Sequence, residues 1–86
     1  MKIKKLKENC YVIIDNKNNK YLVSYESIIA KIDNKGVLSL GKNWAYSNTT
    51  SKYIGWFIEE ITGQKMNKGI IEKLIKQGDI LIDETL

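Results

Sequence analysis

Few side chains in this sequence could perform catalysis. There is no histidine among the 86 residues, which excludes a Ser-His-Asp triad, a Cys-His pair and an imidazole metal ligand. Cys10 is the single cysteine and cannot build a zinc site by itself. The adjacent acids Glu59 and Glu60 would point about 100° apart on a helix and would not share a site. We therefore predict no catalytic residue, no metal and no cofactor, and hence no enzyme.

The sequence context of Cys10, Asp15 and Asp33 instead indicates structural roles. A cysteine at the start of a strand usually packs as a small buried hydrophobe, and both acids stand in segments with the composition of hairpin loops. One cysteine allows no intramolecular disulfide, which favours a cytoplasmic location. The apolar run at residues 11–14 is too short for a signal peptide or a membrane span, so we expect no membrane partner.

Lysine is the residue type most suited to binding phosphate here. All fourteen basic residues are lysines, and residues 1–52 carry a net charge of +6 against −2 for residues 53–86. Lysines supply the salt-sensitive part of nucleic-acid affinity, whereas the absence of arginine removes the commonest bidentate reader of guanine. We predict mainly non-specific contact. The candidate nucleic-acid-binding residues are Lys2, Lys4, Lys5, Lys7, Lys17, Lys20, Lys35, Lys65, Asn67 and Lys68.

Aromatic side chains are the candidate anchors for a protein partner, because exposed aromatic rings dominate many interfaces. Trp44 and Tyr46 lie in a segment without clean periodicity, and we expect them to anchor it against a sheet. They could form a stacking platform only if both rings were exposed beside lysines such as Lys42. The candidate partner-binding residues are Tyr21, Lys42, Trp44, Tyr46 and Tyr53.

The first half of the chain has the pattern of strands joined by turns, and these elements position many of the side chains named above. Residues 10–14 and 20–25 are rich in β-branched and aromatic residues and flank DNKNNK, which predicts a hairpin. Residues 28–32 and 37–40 flank the turn DNKG and predict a second hairpin. Residues 79–83 predict a last strand or extended edge segment. The sequence therefore predicts four strands in meander order, or five if residues 79–83 also form a strand.

Two helices are predicted between these strands. Residues 47–51 offer several N-cap candidates, and Gly63 can end the first helix. The apolar stripe of that helix is Ile54, Phe57, Ile58 and Ile61. Gly55 in the same helix indicates close packing against a neighbouring element, because glycine is otherwise unfavourable in a helix. Asn67 can cap a short second helix, whose buried stripe is Ile70, Ile71, Leu74 and Ile75. The pair is similar in spacing to a helix-turn-helix with residues 79–82 as a wing.

Strands followed by helices predict an α+β fold, a four- or five-stranded, mainly antiparallel meander sheet with two helices packed on one face. A chain this short supports one modest core, so residues 1–86 form a single domain whose first nine residues are free to be flexible. The predicted core consists of Ile13, Val23, Ile28, Ile32, Leu38, Ile54, Phe57, Ile58, Ile61, Ile71, Leu74 and Leu81.

The segment SYESIIAKIDNKGVLSLGKNWAYSNTTSKYIGWFIEE, residues 24–60, carries a resemblance. Its Ser-Tyr pair, Ile-Ala strand, aromatic-Tyr-Ser and Thr-Thr-Ser before a helix resemble an uncharacterised family of short phage- and plasmid-borne domains. The matching positions are Ser24, Tyr25, Ile29, Ala30, Trp44, Tyr46, Ser47, Thr49, Thr50 and Ser51. Many members have a histidine two residues after that last serine, where this chain has Tyr53. The resemblance implies a mobile-element origin and no known chemistry.

Composition agrees with that origin, because Lys, Asn and Ile, the residues of AT-rich codons, fill 36 of 86 positions. We expect a non-enzymatic binding protein of a phage or mobile element that acts on host nucleic-acid-handling or defence machinery, as an anti-CRISPR inhibitor does. The alternative is a DNA- or RNA-binding accessory or regulatory protein that uses a basic surface or the helical hairpin. A homo-oligomer paired through residues 80–82 is a third arrangement.

Overall fold

The computed structural model describes all 86 residues as one six-stranded sheet and two helices. The strands are β1 (Lys2–Lys7), β2 (Cys10–Ile14), β3 (Lys20–Ser24), β4 (Ser27–Ile32), β5 (Leu38–Gly41) and β6 (Ile80–Asp83). The helices are α1 (Asn48–Thr62) and α2 (Lys68–Lys76), and the strands lie in the sheet in sequence order. The predicted α+β class is confirmed, whereas the sheet has six strands rather than four or five.

The additional strand is β1, which lies within the first nine residues, where the sequence pattern predicts no strand. It pairs antiparallel with β2, and Ile3 stands opposite Ile13. Hydrophobic periodicity does not reveal this strand, because it is rich in lysine and five of its six residues are exposed, so neither face is apolar. Lysines on an edge strand also discourage pairing with other chains. Backbone pairing with β2 therefore defines this strand.

The last strand, β6, runs parallel to β5, with Leu38 opposite Ile80, whereas the other neighbouring strands are antiparallel. A parallel pair needs a long crossover connection, and α1 and α2 provide it here. β6 therefore extends the main sheet as its second edge and does not form a separate wing beside α2. A winged helix-turn-helix does not describe this arrangement.

The core lies between the two helices and one face of the sheet. Val12, Leu22, Ala30 and Leu40 stand opposite one another across four strands and are all buried. From the helices, Ile54, Phe57, Ile58 and Ile71 complete this core. Ile32 and Leu38 are also buried as predicted, while Ile61 and Leu74 pack against the core as half-buried residues.

The predicted inner face was wrong in β2, β3 and β6, and in β4 the predicted core residue Ile28 is exposed although Ile32 is buried. Val12, Leu22 and Ile80 are buried, whereas the predicted Ile13 and Val23 are half-buried, and Ile28 and Leu81 are exposed. The runs CYVII, YLV and ILI are apolar at consecutive positions, so alternation within them does not identify an inner face. Coverage by the helices decides which face is dry, and a shift of one residue exchanges the two sets.

Local signals place both helices as predicted. Ser47 caps α1 by accepting a hydrogen bond from the Thr50 amide at 3.1 Å, and Gly63 ends it with a φ of 77°. Asn67 caps α2 by accepting a bond from the Ile70 amide at 2.9 Å. Neither helix combines the length and the hydropathy that a membrane span requires.

Candidate functional site

The turn acids organise the loops at one end of the sheet. Asp15 Oδ1 accepts bonds from the Lys17 and Asn19 amides, both at 2.9 Å, and Asp33 Oδ1 accepts two 2.9 Å bonds from amides of the β4–β5 turn. The hydrogen bond from the Asn19 amide lowers the pKa of Asp15, and the Val37 amide has the same effect on the pKa of Asp33. These carboxylates hold backbone in place, in agreement with the composition of their segments.

The other groups considered for catalysis are also engaged in packing or pairing. Cys10 is buried, and burial raises the pKa of its thiol, which disfavours the nucleophilic thiolate. Glu60 forms an ion pair with Lys4, and Lys5 binds Glu8 at 3.0 Å. No group of three or more acids or cysteines is close enough to hold a metal ion.

One cleft, here called the aromatic groove, opens at the end of the sheet opposite the Asp15 and Asp33 loops. It encloses about 580 Å³ and is lined by Glu26, Ser27, Ile28, Ile29, Gly41, Asn43, Trp44, Tyr46, Thr50, Thr85 and Leu86. Trp44 is buried in the core, while the Tyr46 side chain is 86% exposed. Because Trp44 is covered, the two rings cannot form the joint stacking platform considered above. Trp44 instead supplies the apolar base of this groove.

An unusual backbone conformation occurs at Tyr25, the residue before Glu26 of the aromatic groove. Tyr25, in the β3–β4 turn, has a φ of 56° and is 71% exposed. Its amide donates to the Asn9 carbonyl at 2.7 Å, which ties this turn to the β1–β2 turn. A left-handed conformation is uncommon for a bulky residue, and such positions concentrate at functional sites. The strained turn holds an exposed aromatic side chain next in sequence to a residue that lines the groove.

A second cleft, here called the basic cleft, lies between α1 and the start of α2. It encloses about 540 Å³ and is lined by Asn48, Ser51, Lys52, Gly55, Trp56, Glu59, Lys65, Met66, Asn67, Lys68 and Ile70. The Trp56 ring also lines an adjoining hollow of about 370 Å³ formed with Leu6, Lys7, Glu59 and Glu60. The Lys7 and Lys52 Nζ atoms lie 5.0 Å and 5.7 Å from the centroid of that ring.

The predicted nucleic-acid-binding residues do not share one face. Lys65, Asn67 and Lys68 meet in the basic cleft, and Lys7 approaches it through Trp56. Lys2, Lys17, Lys20 and Lys35 lie around the Asp15 and Asp33 loops at the far end of the sheet, as strand register places them. Lys4 and Lys5 are held by glutamates. The side-chain oxygen of Asn67 is occupied by its helix cap.

The predicted partner-binding residues are also dispersed. Trp44 and Tyr46 line the aromatic groove, and exposed Lys42 belongs to the same loop without lining it. Tyr21 lies on the sheet face away from the helices, where its hydroxyl donates to Asp15 at 3.0 Å and Lys31 covers its ring. Tyr53 packs against Trp56, with ring centroids 5.5 Å apart. Only the groove pair remains assembled as one surface.

Residues 1–73 match the model of a family of unknown function, DUF8033. This chain belongs to DUF8033. A family of unknown function agrees with the resemblance of residues 24–60 to an uncharacterised family. No curated protein and no solved structure matches the chain significantly. The basic cleft lies wholly within the DUF8033 match, whereas Thr85 and Leu86 of the aromatic groove follow it.

Trp56 and Lys52 are residues of the basic cleft that the sequence alone did not identify as candidates. Trp56 adjoins the apolar stripe of α1 in the sequence, yet it is only half-buried. A signal was present in the sequence, because Lys52 precedes Trp56 by four residues and shares its helix face. The three other lysines, Lys7, Lys65 and Lys68, come from segments distant from Trp56, so no local spacing relates them to it.

Proposed function

We propose that this domain is a non-enzymatic binding protein that docks on a protein partner through the aromatic groove. One observation carries the proposal: Tyr46 is almost fully exposed at the mouth of a largely apolar cleft whose base is the buried Trp44. An exposed tyrosine beside an apolar cleft offers a large, rigid contact area with a polar tip, which is characteristic of residues that dominate binding energy. Tyr25, which precedes the groove residue Glu26, is a second exposed aromatic residue.

The roles of the acids and the cysteine support a function without catalysis. Asp15 and Asp33 hold loop amides, Glu60 is ion-paired, and the Cys10 thiol is buried. The proposal includes a mobile-element origin and action in the cytoplasm on host nucleic-acid-handling or defence machinery. Its support is the composition rich in lysine, asparagine and isoleucine together with the resemblance of residues 24–60.

Affinity capture from host lysate with matched variants tests this function. Wild-type protein and Ile3→Ala, which changes an exposed apolar residue far from the groove, should retain the same partner, whereas Tyr46→Ala should lose it. With the purified partner, we expect Tyr46→Ala to weaken affinity by about 2 kcal/mol or more, roughly 30-fold. Equal retention by Tyr46→Ala, or no specific partner, would count against the proposal.

Nucleic-acid binding is a second candidate function, and the basic cleft favours it. Three of the predicted residues, Lys65, Asn67 and Lys68, converge there, and Lys52 faces them from α1. The proposal is restricted to this cleft, because the other candidate lysines are dispersed or ion-paired. Self-association through β6 also stays a proposal, supported by its place at the sheet edge, and light scattering at micromolar concentration measures it.

A further inference from the structure

We infer that the basic cleft binds single-stranded nucleic acid, with Trp56 as a stacking platform for one base and lysines as contacts for the adjoining phosphates. This inference rests on the second candidate function and names its ligand. The combination of an aromatic face and a basic groove is what non-specific single-strand binding requires, since every base has a π-face and every nucleotide a phosphate.

The Trp56 ring is placed at the centre of the charge. It lines both the cleft and the adjoining hollow. Lys7 from β1 and Lys52 from α1 hold their ammonium groups within 6 Å of the ring centroid, at 5.0 Å and 5.7 Å. Both side chains are long and flexible. A base that stacks on the ring can displace an ammonium group, which then remains within reach of the phosphate.

The charge around the cleft is strongly positive for a chain of this size. Five lysines, Lys4, Lys7, Lys52, Lys65 and Lys68, stand against two glutamates, Glu59 and Glu60, which leaves +3 of the net +4 of the whole chain. The Lys4–Glu60 pair is the only salt bridge in this group. The four remaining lysines are therefore available to phosphates, and Glu59 is the one carboxylate that an incoming strand must avoid.

Neutral groups complete the surface. Asn48 and the side-chain nitrogen of Asn67 offer hydrogen bonds to sugars and base edges, while Met66 and the 42% exposed Ile70 offer apolar contact. Gly55 allows this arrangement, because a Cβ there would lie 3.1 Å from the Met66 carbonyl oxygen. The α1–α2 connection can therefore lie directly on α1, which places Lys65 and Lys68 along the cleft.

A single strand fits these features better than a duplex or an acidic protein. The Trp56 ring is half-buried within the cleft, and paired bases in a duplex expose only their edges in the grooves. An acidic peptide would satisfy the lysines but would make no use of the ring as a stacking surface. Without arginine, base-edge reading is weak, so sequence preference should be slight.

Fluorescence anisotropy with a labelled oligothymidylate of about a dozen nucleotides tests the inference. We expect Trp56→Leu to weaken binding to the strand about 5- to 150-fold while heparin binding stays unchanged, because only the strand carries bases. Trp56→Phe keeps an aromatic face and should retain most of the affinity. The double change Lys65→Gln with Lys68→Gln should weaken binding to both ligands and reduce the log-log salt slope by about 1.4.

Lys73→Gln is the matched control, because it removes an exposed lysine of α2 outside the cleft and should leave strand affinity unchanged. Circular dichroism confirms that each variant is folded. If Trp56→Leu binds the strand like wild type, or if duplex DNA, heparin or polyglutamate binds as tightly as the strand, the single-strand inference is wrong. Salt-dependent duplex binding would still support the second candidate function, whereas no binding to any nucleic acid at low salt would overturn both.

Discussion

Gly55 shows how a single residue shapes the basic cleft. In the middle of α1, glycine is unfavourable by about 1 kcal/mol relative to alanine, so a compensating reason is expected. The structure provides it, because the Met66 carbonyl oxygen would be only 3.1 Å from an added Cβ. The close packing predicted at this glycine is against the main chain of the α1–α2 connection. Without it, Lys65 would be held further from Lys52.

Replacing Gly55 tests whether close packing explains the glycine, and replacing Gly69 in α2 provides the comparison. We expect Gly55→Val to lower the free energy of unfolding by about 1–3 kcal/mol, because the branched side chain must displace the Met66 main chain. In α2, a Cβ on Gly69 meets only Asn67 Oδ1 at 3.4 Å, so Gly69→Ala should be neutral or stabilising by up to about 1 kcal/mol. Urea unfolding followed by circular dichroism measures both. Equal destabilisation would mean that close approach is not why Gly55 is glycine.

The element that links both candidate sites is α1. Its start follows Tyr46 of the aromatic groove, and its exposed face carries Lys52 and Trp56 of the basic cleft. The Ser47 cap lies between Tyr46 of one surface and Lys52 and Trp56 of the other. Ser47 Oγ accepts from the Thr50 amide and also lies 3.1 Å from Thr50 Oγ1.

Loss of that cap should destabilise the element measurably. We expect Ser47→Ala to lower the free energy of unfolding by about 0.5–2 kcal/mol, because an amide of the first turn loses its acceptor. Thr49→Ala is a suitable control, since Thr49 is an exposed residue of the same turn. Chemical denaturation compares the two. A cost for Thr49→Ala as large as that for Ser47→Ala would contradict the capping role.

At the scale of the whole molecule, β6 completes the sheet. Although the chain from β5 to β6 passes through both helices, Ile80 returns to stand opposite Leu38 and is buried in the core. β6 follows the family match, which ends at residue 73. The core of this molecule is thus finished by a strand outside the matched region.

The two neighbouring apolar residues of β6 distinguish this packing from the one predicted. We expect Ile80→Ala to lower the free energy of unfolding by about 2–5 kcal/mol, because it leaves a cavity in the core. Leu81 is 49% exposed on the opposite face, so Leu81→Ala should cost less than about 1 kcal/mol. Thermal and urea unfolding of both variants provide the comparison. Should Leu81→Ala prove the more damaging, the orientation of β6 would be wrong.

Local sequence was sufficient for the parts of this protein whose interactions span a few residues. The caps at Ser47 and Asn67 and the end of α1 at Gly63 were predicted correctly. Each depends on a hydrogen bond or backbone conformation within about four residues, so residue type and spacing specify it. The apolar stripe of α1 was readable for the same reason, because helical periodicity repeats within one segment.

Tertiary structure decided the features that join distant segments. Periodicity could not choose between Val12 and Ile13, because every residue of that strand is apolar and the inner face is set by where the helices pack. Likewise, no local spacing places Lys7 of β1 over Trp56 of α1, or Lys65 beside Lys52. Those contacts depend on how α1 lies across the sheet and how the connection after it returns over Gly55. The two clefts are therefore properties of the packed molecule.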